Sequence, residues 1–209
     1  MTAPRSIDQL VVDRVGRPYV IEAVRLLEAR EGTVAGVDAA LMAAGYRAGP
    51  LRMLDELGLD ADLALDRLLR EADPATARFD EPPLQERLVA NGRTGRAIGR
   101  GFYRYGHGAP RPDVVLEVGR PITAEAIVER LELGMVNEAY RVVEEGLAAP
   151  PAIDALMHEA GYPRGPFEIV DELGLRLLVD RLRAIEALTG ERSGDQYRVA
   201  PLLWQMATV

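Results

Sequence analysis

The chain repeats itself, and no other feature restricts its fold as much. Gly45-Tyr46-Arg47-Ala48-Gly49-Pro50 recurs 116 residues later as Gly161-Tyr162-Pro163-Arg164-Gly165-Pro166. At the same offset Asp55-Glu56-Leu57-Gly58-Leu59 falls on Asp171-Glu172-Leu173-Gly174-Leu175 and Asp38-Ala39 on Asp154-Ala155. Glu22-Ala23 falls on Glu138-Ala139, Arg14 on Arg130, Arg25 on Arg141 and Glu28 on Glu144. Nineteen of the forty-nine positions from 11 to 59 are identical to their counterparts, with no gap. Chance gives only a few, so the sequence is a duplication, and its fold is two versions of one unit.

Each copy reads as helices. From Val11 to Arg30, Val12, Val15, Tyr19, Val20, Ala23, Leu26 and Leu27 recur at mostly three- and four-residue spacing, a buried helical stripe. Pro18 falls inside it and should kink the helix or mark its true start; the second copy has Gly134 at that level. Thr123 before Ala124-Glu125 is an expected N-cap, with the glutamate in the first turn where the helix dipole favours it. A short helix is expected over 34–44 and again over 151–160, stopped by Gly45 and Gly161. Gly49-Pro50 and Gly165-Pro166 restart the chain, proline suiting a first helical turn. Gly58 and Gly174 then separate those short helices from the next, at 60–70 and 175–189.

Between the copies lies different sequence. Glu81-Pro82-Pro83 precedes an amphipathic helix through Ala90. The glycine- and arginine-rich run from Asn91 to Tyr105 reads as a compact turn that packs Phe102 and Tyr103 onto the core. Residues 106–112 form a linker, and Val114-Val115-Leu116-Glu117-Val118 could be a short strand, although no partner strand is evident. The pattern as a whole predicts an all-α fold of two tandem pseudo-symmetric helical repeats. The expected boundaries are 1–105, a linker over 106–120, and 121–209.

Composition removes several chemistries. There is no cysteine, which excludes disulfides, thiolate metal sites and cysteine nucleophiles. All 25 basic residues are arginine, so Schiff-base and lysine-base chemistry are excluded too. A net charge of −8 argues against nucleic acid or an anionic membrane as partner. No apolar run approaches the roughly 18 residues needed to span a membrane, and Met1 to Leu10 has no signal core; a cytoplasmic protein is expected. The two histidines form no metal motif.

Several segments together carry a family signature. They are Arg14-Val15-x-x-Pro18-Tyr19-x-x-Glu22-Ala23, Val37-Asp38-x-Ala40, and Gly45-x-x-x-Gly49-Pro50-x-x-x-Leu54-Asp55-x-x-Gly58-Leu59. The fourth is Gly92-Arg93-x-Gly95-Arg96-x-x-Gly99-Arg100-Gly101-Phe102-Tyr103-x-Tyr105. This resembles the all-helical C-terminal domain of the 3-hydroxyacyl-CoA dehydrogenases, of the same helical class as the 6-phosphogluconate dehydrogenase C-terminal domain. The second copy, with Asn137-Glu138-Ala139, Ile153-Asp154 and Gly165-Pro166-Phe167-Glu168, resembles the second helical domain of the tandem members. The resemblance covers about residues 10–205.

What the resemblance implies is as much absence as presence. In that family a Rossmann domain binds NAD and supplies a catalytic histidine–glutamate pair; no segment here corresponds to it. The chain begins near the family's domain boundary, as a free-standing polypeptide or one cut there would. No catalytic residue and no cofactor or metal site is expected in this chain; NAD is expected on a partner dehydrogenase chain, with acyl-CoA in a shared cleft. Gly95 to Gly101 only imitates a dinucleotide loop: its spacing is Gly-x-x-x-Gly-x-Gly and it follows a helix. The family's substrate-facing asparagine is matched by Asp13, which can accept but not donate a hydrogen bond when ionised; a surface ion pair with Arg14 or Arg17 is its bland alternative. Gly49 and Pro50 match the wall of the acyl pocket, although a plain helix start explains them too. Asp55 and Asp171 are expected to cap a helix or hold a buried arginine. His107 and His158 are not expected to be catalytic.

The expected function is therefore the helical, cleft-forming and dimerising part of an NAD-dependent 3-hydroxyacyl-CoA dehydrogenase of fatty-acid or related acyl-CoA oxidation, inactive alone. A non-catalytic interaction module, or a stand-alone acyl-CoA binder, is the alternative. The helical domains of this family pair about a two-fold axis, and a fused tandem makes that pairing intramolecular; a homodimer also remains open.

Overall fold

The computed structural model describes residues 6–208. The described residues form α1 (Ile7–Glu28), α2 (Val34–Ala43), α3 (Pro50–Leu57), α4 (Leu59–Ala72), α5 (Pro83–Ala90), α6 (Ala124–Glu144), α7 (Pro150–Glu159), α8 (Pro166–Leu173), α9 (Leu175–Thr189) and α10 (Pro201–Ala207). One antiparallel hairpin, β1 (Tyr103–Arg104) with β2 (Arg111–Pro112), interrupts them. The fold is all-α; α2, α4, α7 and α9 fall where the periodicity puts them, α1 begins four residues earlier than expected, and α10 is not among the expected helices. Five of the helices (α3, α5, α7, α8, α10) carry proline in the first turn, where its missing N–H costs nothing. Thr123 caps α6 as expected, its hydroxyl accepting from the Ala126 amide at 3.2 Å. Residues 114–118 are not a strand; the described residues pair as strands in the two-residue hairpin within 103–112, with isolated bridges at Gly95–Arg100 and Arg100–Arg104.

The chain divides into two compact units, residues 1–19 with 132–209, and residues 20–131. The division falls inside α1 and α6, so each unit combines the start of one copy's long helix with the body of the other copy.

In the first unit, Val11 and Val15 of α1 join a core of Leu133, Val136, Tyr140, Ile153, Met157 and Leu182. Here α1 runs through Pro18 without breaking, and Pro18 lies where the helix meets α6 at Gly134. A Cβ at Gly134 would come within 3.0 Å of Pro18 Cβ and 2.7 Å of Gln196 Nε2. That amide donates to the Pro18 carbonyl at 3.3 Å. The two helix-weakening residues thus serve one close approach. Asn137, fully buried, ties the C-terminal segment down. It donates to the carbonyls of Gln196 and Arg198 (2.8 Å each) and accepts from the Ala200 amide at 2.9 Å.

In the second unit, Val24, Leu27, Leu41, Leu54, Leu59 and Phe102 form the buried core. Phe102 and Tyr103 are buried, as the sequence predicts for the glycine-rich run.

Candidate substrate-facing site

The second unit builds its candidate site around two buried carboxylates. Asp38, on α2, sits at the N-terminus of α3 and accepts from the amides of Leu51 (2.9 Å) and Arg52 (3.2 Å) and from the Tyr103 hydroxyl (2.7 Å). A helix start leaves such amides without intrahelical partners, and its dipole favours an anion. Gly49 is glycine because the latch occupies its side-chain space: a Cβ there would lie 2.1 Å from Asp38 Cγ. Pro50 supplies the first helical residue without a donor to satisfy. The second unit's latch is repeated in the first, where Asp154 accepts from the Phe167 amide at 2.9 Å and a Cβ at Gly165 would lie 2.3 Å from its carboxyl carbon. Asp38, Gly49 and Pro50 are thus one device, present in both copies, and Asp38 is the member whose role the sequence left unread.

Asp55, at the end of α3, is 1% exposed and neither caps a helix nor pairs directly with an arginine. Instead it holds the glycine-rich run. It accepts from the amides of Phe102 (2.8 Å) and Tyr103 (2.9 Å) and from the Tyr105 hydroxyl (2.9 Å). A Cβ at Gly101 would fall 1.9 Å from Asp55 Oδ1, and one at Gly95 would fall 2.4 Å from the Asp55 carbonyl oxygen. Those glycines therefore exist to admit Asp55. The Gly95 and Arg100 amides are also spent, each on the other's carbonyl at 2.9 Å. With the Gly95, Gly99, Arg100 and Gly101 amides bonded internally and the space at Gly95 and Gly101 taken by Asp55, these positions do not fit a dinucleotide. Asp171, the counterpart of Asp55, is exposed and has no such run to hold.

Burial sets the electrostatics. It pushes the Asp38 carboxyl up to about 6, against the Tyr103 hydroxyl and the α3 amides, which favour the charged form. Asp55 is raised for the same reason. Tyr103 and Tyr105 rise above the ordinary phenol range, through burial and then the adjoining carboxylates, so both remain donors.

Asp13 belongs to the other unit, half-buried on α1, where it accepts from Gln9 Nε2 at 2.8 Å. Its neighbour Arg14 turns instead to α6. Its guanidinium donates to Glu138 (Nη2 at 2.5 Å, Nε at 3.1 Å) and to both oxygens of Glu145. Burial opposes the Arg14 charge, but Glu145 and Glu138 more than offset it and its pKa rises. In the second unit Arg130 pairs with Glu22 and Glu31. The partners are reciprocal: Arg14 of the first copy takes Glu138 of the second, and Arg130 of the second takes Glu22 of the first. Spacing on the helix is the signal that could have found this. Arg14 and Glu22 are eight residues and about 12 Å apart along one helix axis, too far to meet.

His158 is engaged on both ring nitrogens, Nδ1 at 3.1 Å from the Tyr162 carbonyl and Nε2 at 3.0 Å from Glu168. Two acceptors are satisfied together only by the imidazolium. Its pKa is raised, chiefly by the Glu168 hydrogen bond, which leaves it a poor general base. His107 lies exposed in the hairpin loop. Among the described residues no His, Asp and Glu cluster could hold a metal, and no helix is long and apolar enough to cross a membrane.

The fold and the twice-built Asp–Gly-Pro latch define a tandem all-helical domain pair. The family model for the 3-hydroxyacyl-CoA dehydrogenase C-terminal domain matches residues 10–105 and again residues 127–209. The chain belongs to that family. It is 34% identical over 197 residues to the fatty acid oxidation complex subunit alpha of Shewanella frigidimarina, covering 87% of this chain and 27% of that protein. It is 35% identical over 209 residues to the subunit of the same name from Idiomarina loihiensis, covering 93% and 28%. The chain thus spans less than a third of the length of these relatives. The fold matches a crystal structure of 3-hydroxybutyryl-CoA dehydrogenase from Escherichia coli at a TM-score of 0.80 and 22% identity, covering 96% of this chain and 60% of that one. It also matches the dehydrogenase part of multifunctional enzyme 1 from C. elegans at 0.69 and 20%, covering 95% and 47%.

Proposed function

We propose that this chain is the helical half of an NAD-dependent 3-hydroxyacyl-CoA dehydrogenase acting in fatty-acid or related acyl-CoA oxidation. A Rossmann unit, on this polypeptide or another, brings NAD and the catalytic histidine–glutamate pair. We assign this chain two substrate-facing contributions, each within its own unit: Asp13 in the first, and Gly49-Pro50 in the second. One observation carries this reading: the family domain's model matches both copies, and each copy builds the Asp–Gly-Pro latch.

Combining the chain with a Rossmann dehydrogenase domain of this family and following NADH formation from a 3-hydroxyacyl-CoA tests it. Turnover is expected in the mixture and not with the chain alone. Absence of both complex and turnover refutes it, and turnover by the chain alone refutes the division of labour. Asp13→Asn, which restores the family's amide, should raise kcat in the mixture. If Asp13→Asn and the parent are equally inert while a stable complex with another protein forms, the chain is a non-catalytic interaction module, the reading that Asp13 itself favours.

A further inference from the structure

An arginine cluster outside these sites has a charge pattern the dehydrogenase reading does not use. Asp113 receives three guanidiniums: Arg93 Nη2 at 2.9 Å, Arg100 Nε at 2.6 Å and Arg104 Nε at 3.2 Å. Arg93 is held further by the Gly101 carbonyl at 2.6 Å. Across the hairpin Arg104 stands directly opposite Arg111, so their side chains leave the same face. Like charges directly opposed in a β-ladder destabilise it. Arg111 is exposed and has no ion pair among the described residues. Three cations therefore meet Asp113 and a fourth, Arg111, stands on the same hairpin face without an ion pair, in a chain of net charge −8.

Two other arginine groups are balanced. Arg67 and Arg70 share Glu81, Glu86 and Asp80, and Arg164 has Glu132 and Glu172. At the hairpin the surplus is also presented outward. Arg100 and Arg104 spend only Nε on Asp113, and their side chains are 47% and 62% exposed. Their terminal Nη donors have no partner among the described residues. Asp113 thus acts as an organiser that fixes two guanidiniums with their outer donors toward solvent. Its carboxyl pKa is held low: slight burial works against this, and the three arginines prevail.

We propose that this arginine face, formed by Arg100, Arg104 and Arg111 and organised by Asp113, binds a phosphate monoester or diphosphate group. Planar guanidiniums donate in pairs to phosphate oxygens, and a dianion meets the outward donors of Arg100, Arg104 and Arg111 that Asp113 leaves unused. The site is made of side chains. It does not use the loop amides that Asp55 occupies, and it does not depend on the acyl-CoA cleft.

Calorimetric titration of the whole chain with inorganic pyrophosphate at low salt tests it. Saturable one-to-one binding is expected, weakening as salt rises. Arg104→Gln with Arg111→Gln should lower the affinity at least tenfold while keeping the thermal midpoint, since both side chains are exposed. Arg67→Gln with Arg70→Gln, on a balanced cluster, should leave it unchanged. Three results overturn the proposal: no saturable heat at millimolar pyrophosphate, equal losses in both double variants, or a poly-glutamate peptide that binds the face and is not displaced by pyrophosphate.

Discussion

Asp55→Ala isolates what a buried carboxylate does in this fold, because the duplication supplies its own control. The side chain is 1% exposed and accepts from two amides and one hydroxyl, at 2.8, 2.9 and 2.9 Å. Its removal leaves the Phe102 and Tyr103 amides buried without an acceptor, at about 1–3 kcal/mol each, and Tyr105 loses a bond to a charged group. Against this, the protein no longer has to bury a charge, a relief whose sign is visible in the raised pKa of Asp55. The net loss should be about 3–4 kcal/mol, or roughly 10 °C in Tm for a chain of this size. Asp171→Ala, at the equivalent but exposed position, should change stability by less than about 0.5 kcal/mol. Asp55→Asn should fall between them, since its amide nitrogen points a donor at donors. Urea denaturation followed by far-ultraviolet circular dichroism, with unchanged m values, gives all three numbers. An Asp55→Ala variant within 1 kcal/mol of the parent, or equal losses at 55 and 171, would refute the assignment of Asp55 as the anchor of the glycine-rich run.

The remaining expectations follow from the same geometry. Because burial lifts the Asp38 carboxyl to about 6 from an ordinary value near 3.8, the folded state binds more protons than the unfolded state between those values. Its contribution to stability therefore falls as pH rises across that window, and Asp38→Asn should remove that slope from urea midpoints measured between pH 3.5 and 7. Gly49→Ala drives a Cβ to 2.1 Å from Asp38 Cγ and should cost about 3 kcal/mol or more in the same assay, while Gly106→Ala, with open space around it, should cost less than about 0.5. The His158 ring should titrate above 6.5 by NMR, with its stabilising contribution complete below 6.5 and lost as pH rises through the folded value; Glu168→Gln should lower that pKa, and no movement would break the link. Glu138→Gln and Glu22→Gln, each removing the buried partner of an arginine from the other copy, should cost about 3–5 kcal/mol apiece in denaturation, and a large loss at one site only would contradict their reciprocity.

Helix positions were legible in the sequence because apolar spacing and proline starts are local signals: α2, α4, α7 and α9 lie within two residues of where the periodicity puts them. The glycine-rich run was legible as a packed turn, but not what it packs on, since Asp55 lies about forty residues upstream and carries no mark of its partner. Pro18 read as a kink or a helix start, whereas α1 runs through it and packs it against Gly134, a neighbour distant in sequence. His158 read as isolated because its carboxylate, Glu168, comes from the next helix across a turn. The two carboxylates that shape the candidate site were visible as repeated letters, yet a repeated Asp is compatible with a cap, an ion pair or a backbone anchor. Asp38 proves to be the first and Asp55 the third, and only three-dimensional neighbours separate those roles.

The reciprocal arginine pairs tie the two copies together at the level of single charges. A buried glutamate such as Glu22 or Glu138, both fully inaccessible, is tolerable only with a cation against it. Each copy contains a suitable arginine, Arg14 or Arg130, but places it eight residues away on the same helix, about 12 Å along the axis. Neither copy can neutralise its own glutamate with that arginine. Arg141 of the same copy also approaches Glu138 at 3.5 Å, and the start of each long helix adds a second cation from the other copy, which is how the compact units are composed: residues 1–19 go with 132–209, and 20–131 stand together. Division of the chain at the repeat boundary would leave Glu22 without Arg130 and Glu138 without Arg14. The sequence repeat and the folding unit are therefore different objects here: the repeat is a copy of a sequence, and each compact unit is assembled from both copies.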